Sequence, residues 1–127
     1  MTDEPLMSAG TTRVGSAVVL TVGGEVDLHS APELVDTVVA ALHTPGGGAP
    51  DGGAVSAVVA DLTSVVFLSS AGLGTLAALS TRLGEDGVAL RLVAGDNKAV
   101  TRPWTAMHLG DLLPLYPDVP AALNSVM

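Results

Sequence analysis

Hydrophobic positions fall along this chain in short blocks whose period alternates between that of a strand and that of a helix. Ala17-Val18-Val19-Leu20-Thr21-Val22 is apolar on both faces, the pattern of a strand inside a sheet. Thr11 to Arg13, across a turn at Val14-Gly15-Ser16, predicts a short edge strand and with it an N-terminal edge hairpin. Leu34, Val35, Val38, Val39 and Leu42 recur at helical intervals, so a helix is expected from Ala31 to about His43. Ser30 and Glu33 have the spacing of a capping box at its start, and Pro32 is tolerated in the first turn.

The second half repeats the alternation. Val55 to Asp61 predicts a central strand, with Asp61 ending it at the mouth of a serine-containing loop. A helix follows from Ser70 or Ala71 to about Leu83, with Leu73, Leu76, Leu79 and Leu83 facing inward. Gly84-Glu85-Asp86-Gly87 is a turn, Val88 to Val93 a strand, and Gly95-Asp96-Asn97 opens a helix toward Leu109. Pro103 within that segment would cost about 3 kcal/mol in a continuous helix, which predicts a kink or a restart. Leu112 to Tyr116 reads as a last short strand and Val119 to Asn124 as a last helix. Strands alternating with helices after one hairpin imply an α/β fold: a mixed, mostly parallel sheet of four to five strands with helices packed against it.

At 127 residues the chain has room for one domain with a core. Residues 1–10 are small and polar and read as a flexible N-terminal tail; 11–127 form the domain. Within it, 44–54 is Gly/Pro-rich and reads as a flexible loop; it lacks the Lys-Ser/Thr that a phosphate-cradling P-loop needs. Only 2% of residues are aromatic, which leaves little for base stacking, and 13 acidic against 5 basic residues give a net charge of −8. That charge repels nucleic acid and anionic membranes and favours a basic partner. Without cysteine there is no disulfide, thiolate or zinc–sulfur chemistry, and no apolar run is long enough to span a bilayer. The start of the chain lacks a signal peptide, so cytoplasmic residence is expected.

The chemistry concentrates in Val65-Val66-Phe67-Leu68-Ser69-Ser70-Ala71-Gly72-Leu73, where an apolar strand runs into an apolar helix through small hydroxyls and glycine. A serine there lies near unpaired backbone N–H groups and the positive end of the helix dipole. Two roles are open to it: a helix cap, or an acceptor whose added phosphate would be stabilised in place. Nucleophilic catalysis is disfavoured, because leucine stands where a Gly-x-Ser-x-Gly elbow has its first glycine. His29, His43 and His108 lack metal-ligand spacing, and the Glu25/Asp27 pair alone does not make an acid–base site. The expectation is a binding protein, not an enzyme, without metal or cofactor.

Two blocks carry a family resemblance. Asp61-Leu62-Thr63-Ser64-Val65-Val66-Phe67-Leu68-Ser69-Ser70-Ala71-Gly72-Leu73 resembles the signature of STAS domains of bacterial anti-sigma factor antagonists, and Gly24-Glu25-Val26-Asp27 with Ser30-Ala31 resembles the segment before their first helix. The resemblance implies a STAS fold and a phosphorylatable serine at Ser70, with Ser69 the alternative, and it places Asp27 close by. It implies a partner-binding patch including Glu25, Asp27, Asp61, Ser69, Gly72 and Leu73. The implied partner is an anti-sigma factor of the serine-kinase, histidine-kinase-like ATPase type, which the unmodified antagonist binds to release a sigma factor. That partner phosphorylates the serine and ends the contact, and a PP2C-type phosphatase resets it. The chain departs from the pattern at Ser69, where the family has aspartate, at Ala71, where it has Ser/Thr, and at Pro103. The alternative function within the same fold is a scaffold or regulatory subunit of a stress-signalling or transport complex, without a phosphoswitch.

Overall fold

The computed structural model describes residues 7–43 and 54–126. Nine elements follow in order: β1 (Met7–Val14), β2 (Ala17–Val26), α1 (Ala31–His43), β3 (Ala57–Leu68), α2 (Ser70–Glu85), β4 (Ala89–Val93), α3 (Lys98–Ala106), β5 (Leu115–Tyr116) and α4 (Val119–Asn124). The five strands lie side by side in sequence order, β1 antiparallel to β2 and the others parallel. With strands in sequence order and right-handed crossovers, successive crossover helices must lie on one face of the sheet. The larger core forms there, where Leu34 and Val38 of α1, Leu73, Leu76, Leu79 and Leu83 of α2 and Val100 of α3 cover Leu20, Val58, Ala60, Leu62 and Leu92. The opposite face carries a small cluster of Val59, Val93 and Ala122, covered by α4.

The hairpin is longer than hydropathy indicates. Met7 to Gly10, expected in the tail, pair with Gly24 to Thr21, and Met7 is buried. Small polar residues hide this strand because ladder hydrogen bonds involve the backbone and need no apolar side chains. Residues 1–6 and 44–53, which hold the rest of the tail and nearly all of the expected loop, lie outside the described residues.

The largest departure is in β3, which does not stop at Asp61 but continues seven residues further to Leu68. Two register irregularities against β2 accompany the extension, between Thr21 and Gly23 and between Gly24 and Glu25, the second leaving Val66 as an extra residue. Each insertion shifts the inward phase of the strand, so Leu62, Val65 and Leu68 enter the core at intervals of three rather than two. β4 pairs only with Ala57 to Asp61, and beyond that point Asn97 closes the exposed edge of β3. Its Nδ2 donates to the carbonyls of Leu62 at 3.0 Å and Val65 at 2.7 Å.

Four local expectations are also corrected. Ser30 does not form a capping box: its Oγ accepts from Asp27 N at 2.9 Å and donates to Glu25 O at 2.8 Å, facing back toward β2. α3 passes through Pro103 without restarting, since proline removes only one i→i−4 bond in so short a helix. It ends at Ala106, before Leu109, because His108 just beyond it takes a φ of 54°, the left-handed conformation that terminates helices. The last strand is Leu115–Tyr116 alone.

Candidate functional site

The site is assembled where β2 and β3 end together. Val26 pairs with Leu68, and the next peptide of the β3 side continues the bonding: Ser69 N donates to Val26 O at 2.9 Å. Gly72, in the first turn of α2, packs on the same carbonyl. A Cβ at Gly72 would lie 2.6 Å from Val26 O and 3.0 Å from Val26 C, so only glycine lets the helix come this close. Two sequence-distant segments, Gly24–Asp27 and Ser69–Gly72, are thereby fixed against each other through one backbone carbonyl.

The two serines have different roles. Ser69, extended at φ −78° and ψ 164°, is the N-cap of α2: its Oγ accepts from Gly72 N at 3.0 Å, and its carbonyl accepts from Leu73 N at 2.9 Å. Ser70 is the first residue of the helix. It is exposed, and no hydrogen bond among the described residues engages its hydroxyl. α2 is 16 residues long and has no acidic residue in its first turn, so its N-terminal dipole end lacks a local carboxylate.

Asp27 lies just past the end of β2, in the turn before α1. Its Oδ1 accepts from His29 N at 2.9 Å and Ser30 N at 3.0 Å, and the hydroxyl of Ser30 also approaches it at 3.3 Å. The Ser30 N–H is the main reason its carboxyl is held below the usual aspartate range; desolvation opposes this, while the His29 N–H and the Ser30 hydroxyl add to it. A carboxylate with a depressed folded-state pKa stabilises the fold above its unfolded pKa, and the contribution disappears as pH falls through the folded value. The melting temperature of Asp27→Asn should therefore differ most from wild type near neutrality and converge on it as the pH falls below the ordinary aspartate value of 3.8. A gap that stays constant through that fall would mean the turn draws nothing from the charge.

The other residues of the expected patch are placed differently. Glu25 is half-buried in β2 opposite Phe67. Gly72 and Leu73 are buried, Leu73 completely, so they position the serine turn instead of presenting a surface. Asp61 is not at the serine loop. It lies mid-strand between Thr21 and Val93, on the sheet face of Val59, and binds Thr63 N at 3.1 Å and Thr63 Oγ1 at 2.8 Å. Two exposed apolar side chains near the site, Val66 and Phe67, were hidden by their sequence context, because Val65 to Leu68 reads as a uniformly buried run. Among the described residues no group of three or more His, Asp or Glu could hold a metal ion, and no helix is long and apolar enough to cross a membrane.

Comparison with known proteins agrees with this architecture. The STAS domain family model matches residues 8–122. The anti-sigma-F factor antagonist RsfA of Mycobacterium tuberculosis is 31% identical over 113 residues, covering 87% of this chain and 80% of the relative. The crystal structure of an anti-sigma factor antagonist from Mycobacterium paratuberculosis superposes with a TM-score of 0.77 at 31% identity, over 94% of this chain and 93% of the other. The anti-sigma factor antagonist SpoIIAA in its unphosphorylated form shares the fold at 18% identity, with a TM-score of 0.69 over 94% of this chain and 96% of its own. A sheet in this order, a serine-capped helix packed on the end of β2, and these matches along nearly the whole length place the chain in the STAS domain family, among the anti-sigma factor antagonists.

Proposed function

We propose that this protein is an anti-sigma factor antagonist switched by phosphorylation of Ser70. Unmodified, it binds an anti-sigma factor with a kinase-like ATP fold in the cytoplasm and so frees a sigma factor; the same partner phosphorylates it, and a PP2C-type phosphatase reverses the mark. The observation that carries the reading is the division of labour between the serines. Ser69 is committed to capping α2, whereas the Ser70 hydroxyl is exposed and unengaged at the helix N-terminus. A phosphoryl group there would be stabilised by the helix dipole, so modification leaves the fold intact. It would also add nearly two negative charges beside the Asp27 turn of a chain already at −8. A basic partner attracted to the unmodified surface, and fitted to it, loses that fit when a bulky dianion occupies the contact.

The test is incubation of the full chain with its purified anti-sigma factor and Mg-ATP, read by intact mass and by affinity. One phosphoryl group is expected on wild type and on Ser69→Ala, none on Ser70→Ala. Phosphorylation should weaken binding about tenfold or more, the equivalent of about 1.4 kcal/mol. The absence of an acidic residue at Ser69 and in the first turn favours one other reading, a constitutive dock in which Ser70 is never modified. That reading predicts tight binding without phosphoryl transfer and an unchanged affinity in Ser70→Asp.

A further inference from the structure

The sheet end that holds the serines also exposes three large apolar side chains: Val66 at 70%, Leu28 at 67% and Phe67 at 49%. Their exposure follows from the backbone. Val66 is the extra residue of the second β3 irregularity, so it and Phe67 are turned out between Val65 and Leu68, which stay in the core. Leu28 follows Asp27 immediately, in the turn that begins where Val26 pairs with Leu68. Single exposed apolar residues are ordinary on soluble proteins. Here three fall on two paired strand ends, whereas Val14, another exposed apolar residue, is at the hairpin end of the sheet.

The charges around them indicate what covers them. Glu25 is in register with Phe67, and Asp27 precedes Leu28. The five basic residues, Arg13, Arg82, Arg91, Lys98 and Arg102, all lie outside the Asp27 turn and the Val66–Ser70 junction in sequence, and His29 is the one titratable base within them; Lys98 approaches from the β3 edge, next to Asn97, whose Nδ2 bonds Val65 O at 2.7 Å. The surface thus has an apolar centre with acidic neighbours on its β2 side, the complement of an apolar hollow bordered on that side by lysine or arginine. We propose that Leu28, Val66 and Phe67 are the apolar anchors through which the unmodified chain docks on its protein partner, and that the partner's contact surface is apolar with a basic rim. The proposal rests on the antagonist function given above and specifies the surface that function uses. It also gives Ser70 a second lever: a phosphate introduced beside an apolar contact must be desolvated as well as repelled.

Titration of the full chain and its variants against the purified anti-sigma factors of the same organism tests it, with saturable binding by wild type identifying the cognate factor. Leu28→Ser and Val66→Ser, both at well-exposed positions, are each expected to weaken binding about tenfold while keeping the wild-type unfolding midpoint. Val14→Ser should bind as wild type. Glu25→Gln should reduce the salt dependence of the affinity, and Leu28→Ser should leave that dependence unchanged. Wild-type affinity in both serine variants overturns the anchors and leaves the antagonist function standing. Failure of wild type to bind any of these factors overturns the antagonist function, and the docking proposal falls with it. Sedimentation of wild type as a dimer that Val66→Ser converts to monomer also overturns the proposal, assigning the patch to a second copy of the chain.

Discussion

Gly72→Ala should destabilise the protein by about 2–3 kcal/mol, lowering the melting temperature by roughly 10 °C. The sign is informative, because glycine within a helix is less favourable than alanine by about 1 kcal/mol and the substitution would stabilise an unencumbered helix. Gly74, two residues on in α2, provides that control: its Cβ would meet nothing within 4 Å, so Gly74→Ala should raise stability by about 0.5–1 kcal/mol. At Gly72 the obstacle is the backbone of Val26, 2.6 Å from the added carbon, and that carbonyl is already held by Ser69 N. The first turn of α2 must lift away or β2 must shift, and either movement separates Ser69 and Ser70 from the Asp27 turn. Thermal unfolding of the two alanine variants side by side decides the matter. Equal stabilisation by both would show that the close approach carries no energetic weight.

Asn97→Ala should cost a further large increment, about 2–4 kcal/mol, from two losses. Asn97 Oδ1 caps α3 by accepting from Ala99 N at 3.1 Å, a contribution of about 1 kcal/mol. Its Nδ2 satisfies the carbonyls of Leu62 and Val65 where β3 outruns β4, and leaving such half-buried acceptors without donors costs about 1–3 kcal/mol. Asn97→Asp separates the two, because aspartate caps as well as asparagine but has no N–H to give. It should be at least as destabilising as alanine, since its carboxylate faces carbonyl oxygens. Denaturant unfolding can be followed through Trp104, the only tryptophan, whose Nε1 donates to Leu113 O at 2.7 Å. Near-wild-type stability in Asn97→Asp would assign the whole effect to the cap.

Much of the fold could be read from periodicity. The inward leucines of α2, the limits of α1 and the brief α4 follow from residues that repeat with the helical period and from breakers at their ends. Less legible were elements whose stability does not come from their own side chains. Met7 to Gly10 form strand through backbone pairing, and Ser30 turns back to β2 because Asp27 supplies a nearer partner than the first turn of α1. Pro103 was expected to kink or restart α3, yet the helix runs through it and stops just before His108, whose left-handed conformation histidine favours too weakly to mark a helix end from sequence.

The candidate site divides along the same line. The strand-to-helix junction at Ser69 and Ser70 and the net acidity of the chain were legible in the sequence, since each depends on residue identity and local spacing, whereas the nearness of Asp27 was implied only by the family resemblance. Which serine caps and which stays exposed, the burial of Gly72 and Leu73, the distance of Asp61 from the junction and the outward turn of Val66 and Phe67 were decided by tertiary structure. All of these depend on the register of β3 against β2. An inserted residue in a strand changes which face every later side chain occupies, and pairing with a distant segment, not local composition, determines where the insertion falls.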